Sequence, residues 1–235
     1  MQTAFSFEVP IKHLELFEDF QDFHFTLSML YSESVYSTFY LWQKKLGLKT
    51  IWLDNSYNEK MKADSAHELI PTFKVLGAHK VISPDDPSWP LERIKAAYLN
   101  MCVMIPSEQV IVVVNSPQML QEMKQVGASN FALSYWVRPK LTPEELYEMR
   151  ECHFLGLLDP FEISRCNPRS CDTSMPIKLA LQKKTIEEWI EEGCPHVNTK
   201  DLGKDGMDFF HRELTEEEIE LSMRNIIDLK EVCQL

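Results

Sequence analysis

Residues 110–114 read VIVVV. Five β-branched residues in a row leave no polar face, so a strand built from them must be covered on both sides. Parallel sheets flanked by helices supply that environment. The rest of the chain fits the same plan. Short apolar runs at 23–29 (FHFTLSM), 50–53 (TIWL), 80–82 (KVI), 131–134 (FALS) and 153–157 (HFLGL) read as strands, and a seventh short strand ends at Asp172 within RSCDTSMP. Amphipathic stretches separate them. Residues 35–45 form a helix with Phe39, Leu41 and Trp42 apolar, stopped by Gly47. Ser65 and Glu68 give a capping pattern for a helix over 65–76 that Pro71 shortens or kinks. Helices follow over 91–104 and 117–126, and Thr142 caps one that begins at Pro143.

Six or seven strand–helix units favour closure into a TIM-type (β/α) barrel. A doubly wound open sheet is the alternative, weakened because no G-x-G-x-x-G or P-loop follows a strand. No eighth strand stands out, so the last unit is expected to be irregular. Two acidic helices, 186–192 and 216–232, follow, with a loop-like PHVNTKDLGKDG between them. The expected division is a barrel over 1–184 with a helical extension over 185–235 packed on it, one domain overall.

The chain has 235 residues, 44% of them hydrophobic, enough for a sizeable core. No stretch has the apolar length of a membrane span, and the acidic N-terminus does not read as a secretory signal. A soluble cytoplasmic protein is expected. The six cysteines form no C-x-x-C pair. Reduced thiols are the simpler reading, and no metal and no cofactor is expected. The net charge of −12 disfavours a general polyanion binder, but much of the acid lies in the tail, which leaves room for a local basic face.

In a β/α barrel the chemistry sits at the C-terminal ends of the strands. Those positions here are Ser28 and Tyr31; Asp54, Asn55 and Ser56; Ser83, Asp85 and Asp86; Asn115 and Ser116; Ser134 and Tyr135; Gly156 to Asp159; and Asp172 with Thr173. Each alone is weak. Asp54 is as good a turn or capping residue as a catalyst, Asp85 and Asp86 between two prolines read more readily as a turn, and Asn115 could simply start its helix. Together, three carboxylates and an amide would share one mouth. Paired carboxylates can divide nucleophilic and proton-transfer work, and a third can accept from the N–H groups of a heterocycle. Tyr31 could stack on a ring there, with Tyr57 and Tyr135 weaker candidates. Arg138, Arg165 and Arg169 follow the late strands and are the favoured phosphate contacts.

Three motifs in order, DNSYNE, SPDDP and DTSMP, with HFLGLLDPFEI between the last two, resemble the tRNA-guanine transglycosylases. They are most similar to the short phage-type branch, the DNA 7-deazaguanine transglycosylases. The resemblance runs from Phe23 to Leu181. It implies that Asp172 attacks an anomeric carbon and displaces guanine, leaving a covalent glycosyl enzyme. Asp54 would manage the proton and Asp85 would read the base edge. Asn115 stands where the family often has Gln, and Ser134 where it contacts the base. Ser56 and Gly156 would line the same substrate site. The chain lacks the family's C-x-C-x-x-C zinc motif and its basic extension, and Asn55 and Ser56 replace its glycine pair. The implied partners are nucleic acid, DNA before tRNA, and a deazaguanine-type base, with a homodimer left open. Two alternatives stand beside this: a glycosylase or transferase acting on a free nucleoside or nucleotide, and a non-catalytic barrel that binds a base or nucleotide.

Overall fold

The computed structural model describes residues 2–197 and 206–234. Eight parallel strands form one sheet in the order β1-β8-β7-β6-β5-β4-β3-β2. They are β1 (Ala4–Phe7), β2 (His24–Leu27), β3 (Ile51–Asp54), β4 (Lys80–Ile82), β5 (Val110–Val114), β6 (Asn130–Ser134), β7 (His153–Leu155) and β8 (Ser170–Thr173). With helices between the strands, this is a nearly closed TIM-type (β/α)8 barrel with further helices at its C-terminus. The strand missing from the sequence reading is the first, not the last. Its AFSF run is four residues long with a polar residue in the middle, too short to stand out by periodicity.

The chain divides into two units, one running from Phe23 to His153 and the other comprising the residues up to Asp22 and from Phe154 onward. In the first, β2 to β6 pair in register, and VIVVV is buried as its composition requires, with Val113 alone half-buried. Helices α1 (Ser34–Leu46), α3 (Ala66–Leu76), α4 (Leu91–Cys102) and α5 (Pro117–Gln125) bury Tyr36, Leu69, Ile94 and Met123. A four-residue helix α2 (Tyr57–Lys60) and α6 (Pro143–Glu148) complete it. The Ser65 and Thr142 capping boxes form as their spacing predicts, and α3 carries Pro71 within it. His24 is buried against the edges of Phe39 and Tyr40. Burial pushes its imidazole down to about 4.

In the second unit, β1 pairs with β8 from Ala4↔Ser170 to Phe7↔Thr173. The other edge of β1 is satisfied from its own sequence neighbourhood. The buried Gln21 amide accepts the Phe7 N–H at 2.6 Å and donates to the Phe7 carbonyl at 2.8 Å. Asp22 does the same for Phe5, its carboxylate accepting at 2.8 Å and its N–H donating at 2.9 Å. Two residues thus replace a neighbouring strand at an edge that would otherwise carry open backbone groups.

Helices α7 (Pro160–Cys166), α8 (Met175–Leu181), α9 (Ile186–Glu191), α10 (Gly206–His211) and α11 (Glu216–Val232) belong to this unit. The expected linker between the acidic helices lies partly outside the described residues, and α10 follows it. Asn225 of α11 is fully buried. It donates to the Pro176 and Lys184 carbonyls at 3.1 and 3.0 Å and accepts the Ile186 N–H at 3.1 Å, tying α8, α9 and α11 together. Thr215 and Glu218 cap α11 reciprocally. Thr215→Ala is expected to lower stability by about 1 kcal/mol, the usual worth of such a cap, read as a lower urea midpoint at unchanged slope.

Candidate active site

In the unit spanning Phe23 to His153, the ends of β2, β3 and β4 meet in one polar network. Asn55, next after β3 and 2% exposed, is its hub. Its Nδ2 donates to the Ser83 carbonyl at 2.8 Å and to Asp85 Oδ1 at 2.6 Å, and its Oδ1 accepts the Tyr57 N–H at 3.0 Å. Asp54, at the end of β3, accepts the Ser56 N–H at 2.8 Å. Ser56 is fully buried with φ +56°, a left-handed conformation unusual for serine that turns the chain back on itself. Its hydroxyl lies 2.9 Å from that of Ser28, at the end of β2, and accepts the Met29 N–H. Ser28 donates to Asp64, which also holds the Lys60 ammonium.

Asp85 and Asp86 part company. Asp86 is half-buried and accepts from the Ser88 N–H and hydroxyl, which hold its carboxyl below the usual range and fit a turn former. Asp85 is 9% exposed, and burial pushes its carboxyl up to about 6 against the opposing effect of the Asn55 amide. Tyr57 is half-buried, and its hydroxyl is pushed up by burial and by the charges of Asp86 and Asp85. Removing the Asn55 donor should raise Asp85 further. In Asn55→Ala, a carbon-detected titration of the Asp85 carboxyl is expected to have its midpoint above the wild-type value of about 6; an unchanged midpoint would show that the amide does not control it.

The other expected site residues fall as follows. Tyr31 lies in the turn Ser28–Ser32 after β2, with its hydroxyl buried and meeting no hydrogen-bond partner among the described residues. Asn115 is exposed beyond β5. Ser134 ends β6, and its hydroxyl accepts the Trp136 N–H at 3.3 Å. Arg138 is 2% exposed, with Nη1 donating to the Leu133 carbonyl. It braces the loop after β6 from within. In the other unit, Asp172 is buried near the end of β8, and its Oδ1 accepts the Gly156 N–H at 3.3 Å. Arg165 lies in the last turn of α7, exposed and 3.6 Å from Asp159. Arg169 is exposed just before β8, at the strand end opposite the one where barrel chemistry occurs.

Sequence reasoning gave no role to Asn55, Ser83, Ser28 or Asp64. The first three stood among the strand-end positions, but nothing in their identity marked a hub. Asp64, ten residues beyond β3, enters only because the left-handed Ser56 folds its loop back. Among the described residues, no group of three or more His, Cys, Asp or Glu side chains is placed to hold a metal ion, and no helix is long and apolar enough to cross a membrane.

No protein-family model matches the chain, and no curated protein matches it. Solved structures do resemble it. A candidate dihydrodipicolinate synthetase from Pseudomonas aeruginosa aligns over 97% of this chain and 99% of its own, with a TM-score of 0.54 at 10% identity. KGPDC from Streptococcus mutans aligns over 98% of both chains, with a TM-score of 0.52 at 10% identity. CdNal from Clostridium difficile, in complex with mannosamine, covers 97% of this chain and 99% of its own, with a TM-score of 0.51 at 12% identity. At these identities the likeness shows the fold.

These comparisons correct the functional expectation. The resembling barrels are a dihydrodipicolinate synthetase, KGPDC and CdNal, and none of them is a guanine transglycosylase. The transglycosylase resemblance rested on three short motifs, and strand ends in any barrel collect Asp, Asn, Ser and Pro. Base exchange with 7-deazaguanine, the nucleoside-acting and base-binding alternatives, and the nucleic-acid partner are set aside with it. The arginines agree with this, since Arg138 is buried in its own loop and Arg169 precedes its strand.

Proposed function

We propose that this chain is an enzyme that acts on a small molecule by proton transfer, with Asp85 as the acid–base group and Asn55 as the residue that positions it. One observation carries the reading. A buried carboxyl at the C-terminal end of a barrel strand, held to about 6, populates both protonation states near neutral pH, as a general acid–base group requires. The full-length likeness to barrels named for small-molecule chemistry supports the same class.

The step we propose is removal of a proton from a carbon next to a carbonyl. The C–H electron pair becomes the carbon–carbon double bond of an enolate, the carbonyl oxygen takes the charge, and Asp85 leaves as the neutral acid. Return of the proton, or loss of a group from the neighbouring carbon, completes the turnover. Incubation in D2O with a panel of 2-oxo acids and ketoses tests it, followed by proton NMR. The expected result is enzyme-dependent loss of the α-proton signal for at least one member. Folded protein that exchanges no member of the panel would refute the reading.

A further inference from the structure

We propose that the C-terminal ends of α1, α3 and α4 form a docking face for an anionic lipid surface, at the strand ends opposite the candidate active site. The inference is independent of the proton-transfer reading of Asp85.

The placement comes from the fold. Each of these helices returns the chain to the start of a parallel strand, so their C-terminal turns gather at the N-terminal ends of β3, β4 and β5. Helix α3 packs beside both α1 and α4. The Lys44 ammonium, near the end of α1, donates to the Val75 carbonyl at 2.7 Å, and its chain lies against Gly77. This contact fastens the last turn of α1 to that of α3. Exposed apolar side chains collect here. Trp42 and Leu46 stand one turn apart on α1, Leu48 lies just past its Gly47 stop, Val75 is in the last turn of α3, and Val103 and Met104 follow α4. A lone exposed apolar residue needs no explanation. A set of them at three neighbouring helix ends marks an interaction surface.

Charge selects the partner. The chain carries −12 overall, yet residues 34–53 and 69–84 hold five lysines and no Asp or Glu. The connections at 47–50, 77–79 and 103–109 add one acid, Glu108. Lys44, Lys45 and Lys74 form no ion pair among the described residues. A cation at a helix C-terminus is favourable by itself, but that leaves unexplained the apolar side chains exposed beside them, Leu46 after Lys45 and Val75 after Lys74. Lysine next to exposed Trp and Leu is the composition of an interfacial anchor. The indole and the leucines enter the acyl boundary while the ammonium groups meet anionic headgroups. A second copy docked about a two-fold axis would set these lysines against their own images. An acidic helix would need a groove, and Leu48 at 76% and Val103 at 78% exposed stand out from the surface instead of lining one. No helix among the described residues is long and apolar enough to cross a membrane, so the contact is peripheral.

Vesicle flotation of the full chain tests it, with phosphatidylcholine alone and with equal parts of phosphatidylcholine and phosphatidylserine. The chain is expected to float with the mixed vesicles at low salt, to stay behind with phosphatidylcholine alone, and to be released by molar salt, where screening is strong. Trp42→Ser combined with Leu48→Ser should weaken binding about tenfold or more, and Lys45→Glu combined with Lys74→Glu should do the same. Trp136, a similarly exposed indole after β6, lies at the other end of the strands, so Trp136→Ser should leave binding unchanged. All five positions are exposed, and an unchanged urea midpoint shows that each variant keeps its fold. Failure to float with the mixed vesicles, equal binding to both compositions, or binding that the paired variants leave intact would each overturn the proposal. So would self-association without vesicles that Trp42→Ser with Leu48→Ser abolishes, which would assign the face to a second copy.

Discussion

Asp85→Asn is expected to lower turnover by about 10²- to 10⁴-fold, the usual contribution of one general acid–base group, while the protein becomes more stable at neutral pH. The two effects have one origin. Burial keeps the Asp85 carboxyl at about 6, so between the ordinary carboxylate pKa and that value the folded chain holds a proton the unfolded chain has lost. Stability from this group is therefore highest in acid and falls as pH rises toward 6. His24 runs the opposite way. Burial, reinforced by Lys49, pushes its imidazole from 6.5 down to about 4, so the unfolded chain takes up the proton first and stability falls on acidification through that range. Each shift is worth about 3 kcal/mol. They oppose each other, so the wild type should be nearly level between pH 4 and 6.5. Asp85→Asn removes one arm. Its stability at pH 7 should rise by about 3 kcal/mol and then drop by a similar amount at pH 4. Chemical denaturation across this range reads both changes. Equal pH profiles for the two proteins would mean that Asp85 is not held up by burial.

Asn225→Ala should cost about 3 kcal/mol or more, because it strips partners from three buried backbone groups at once. Each such orphaned group costs about 1–3 kcal/mol. The groups belong to α8, to α9 and to the turn between them, so no local shift of α11 restores them all. Asn225→Asp should do no better. Its carboxylate would keep the acceptor for Ile186 but turn a second oxygen toward the Pro176 and Lys184 carbonyls. Urea unfolding measures both. A loss under 1 kcal/mol for the alanine variant would mean that water replaces the amide.

Most of the fold could be read from the chain. VIVVV demanded two covered faces, and the Ser65, Thr142 and glycine signals bounded their helices close to where they lie. β1 was illegible because four residues carry no measurable period, and its edge is completed by side chains of Gln21 and Asp22 rather than by another strand. The site was legible only as a set of strand ends. Which acid matters could not be read, since Asp85 and Asp86 are adjacent and identical. Burial alone separates them: one faces Asn55 and the other caps a turn at Ser88. Asn55 looked like a departure from a glycine pair, yet it is the residue that joins β3 to β4. The motif likeness failed for a related reason. Short polar strings after apolar runs record the general grammar of barrel loops, and specificity lies in the three-dimensional partners of each side chain.

The pairing of β1 with β8 also sets a timetable for biosynthesis. The ribosome makes residues 4–7 well before their strand partner, residues 170–173, which emerges far later. At about 5–20 residues per second the delay is roughly ten to thirty seconds. During that time the whole segment from Phe23 to His153 is translated and can begin to fold. Phe5 and Phe7 would meanwhile offer a bare strand to any passing chain. Gln21 and Asp22 leave the exit tunnel within moments of them and can occupy one side of that strand at once. A pair of polar side chains thereby acts as a built-in chaperone for β1 while the nascent polypeptide waits for its partner strand.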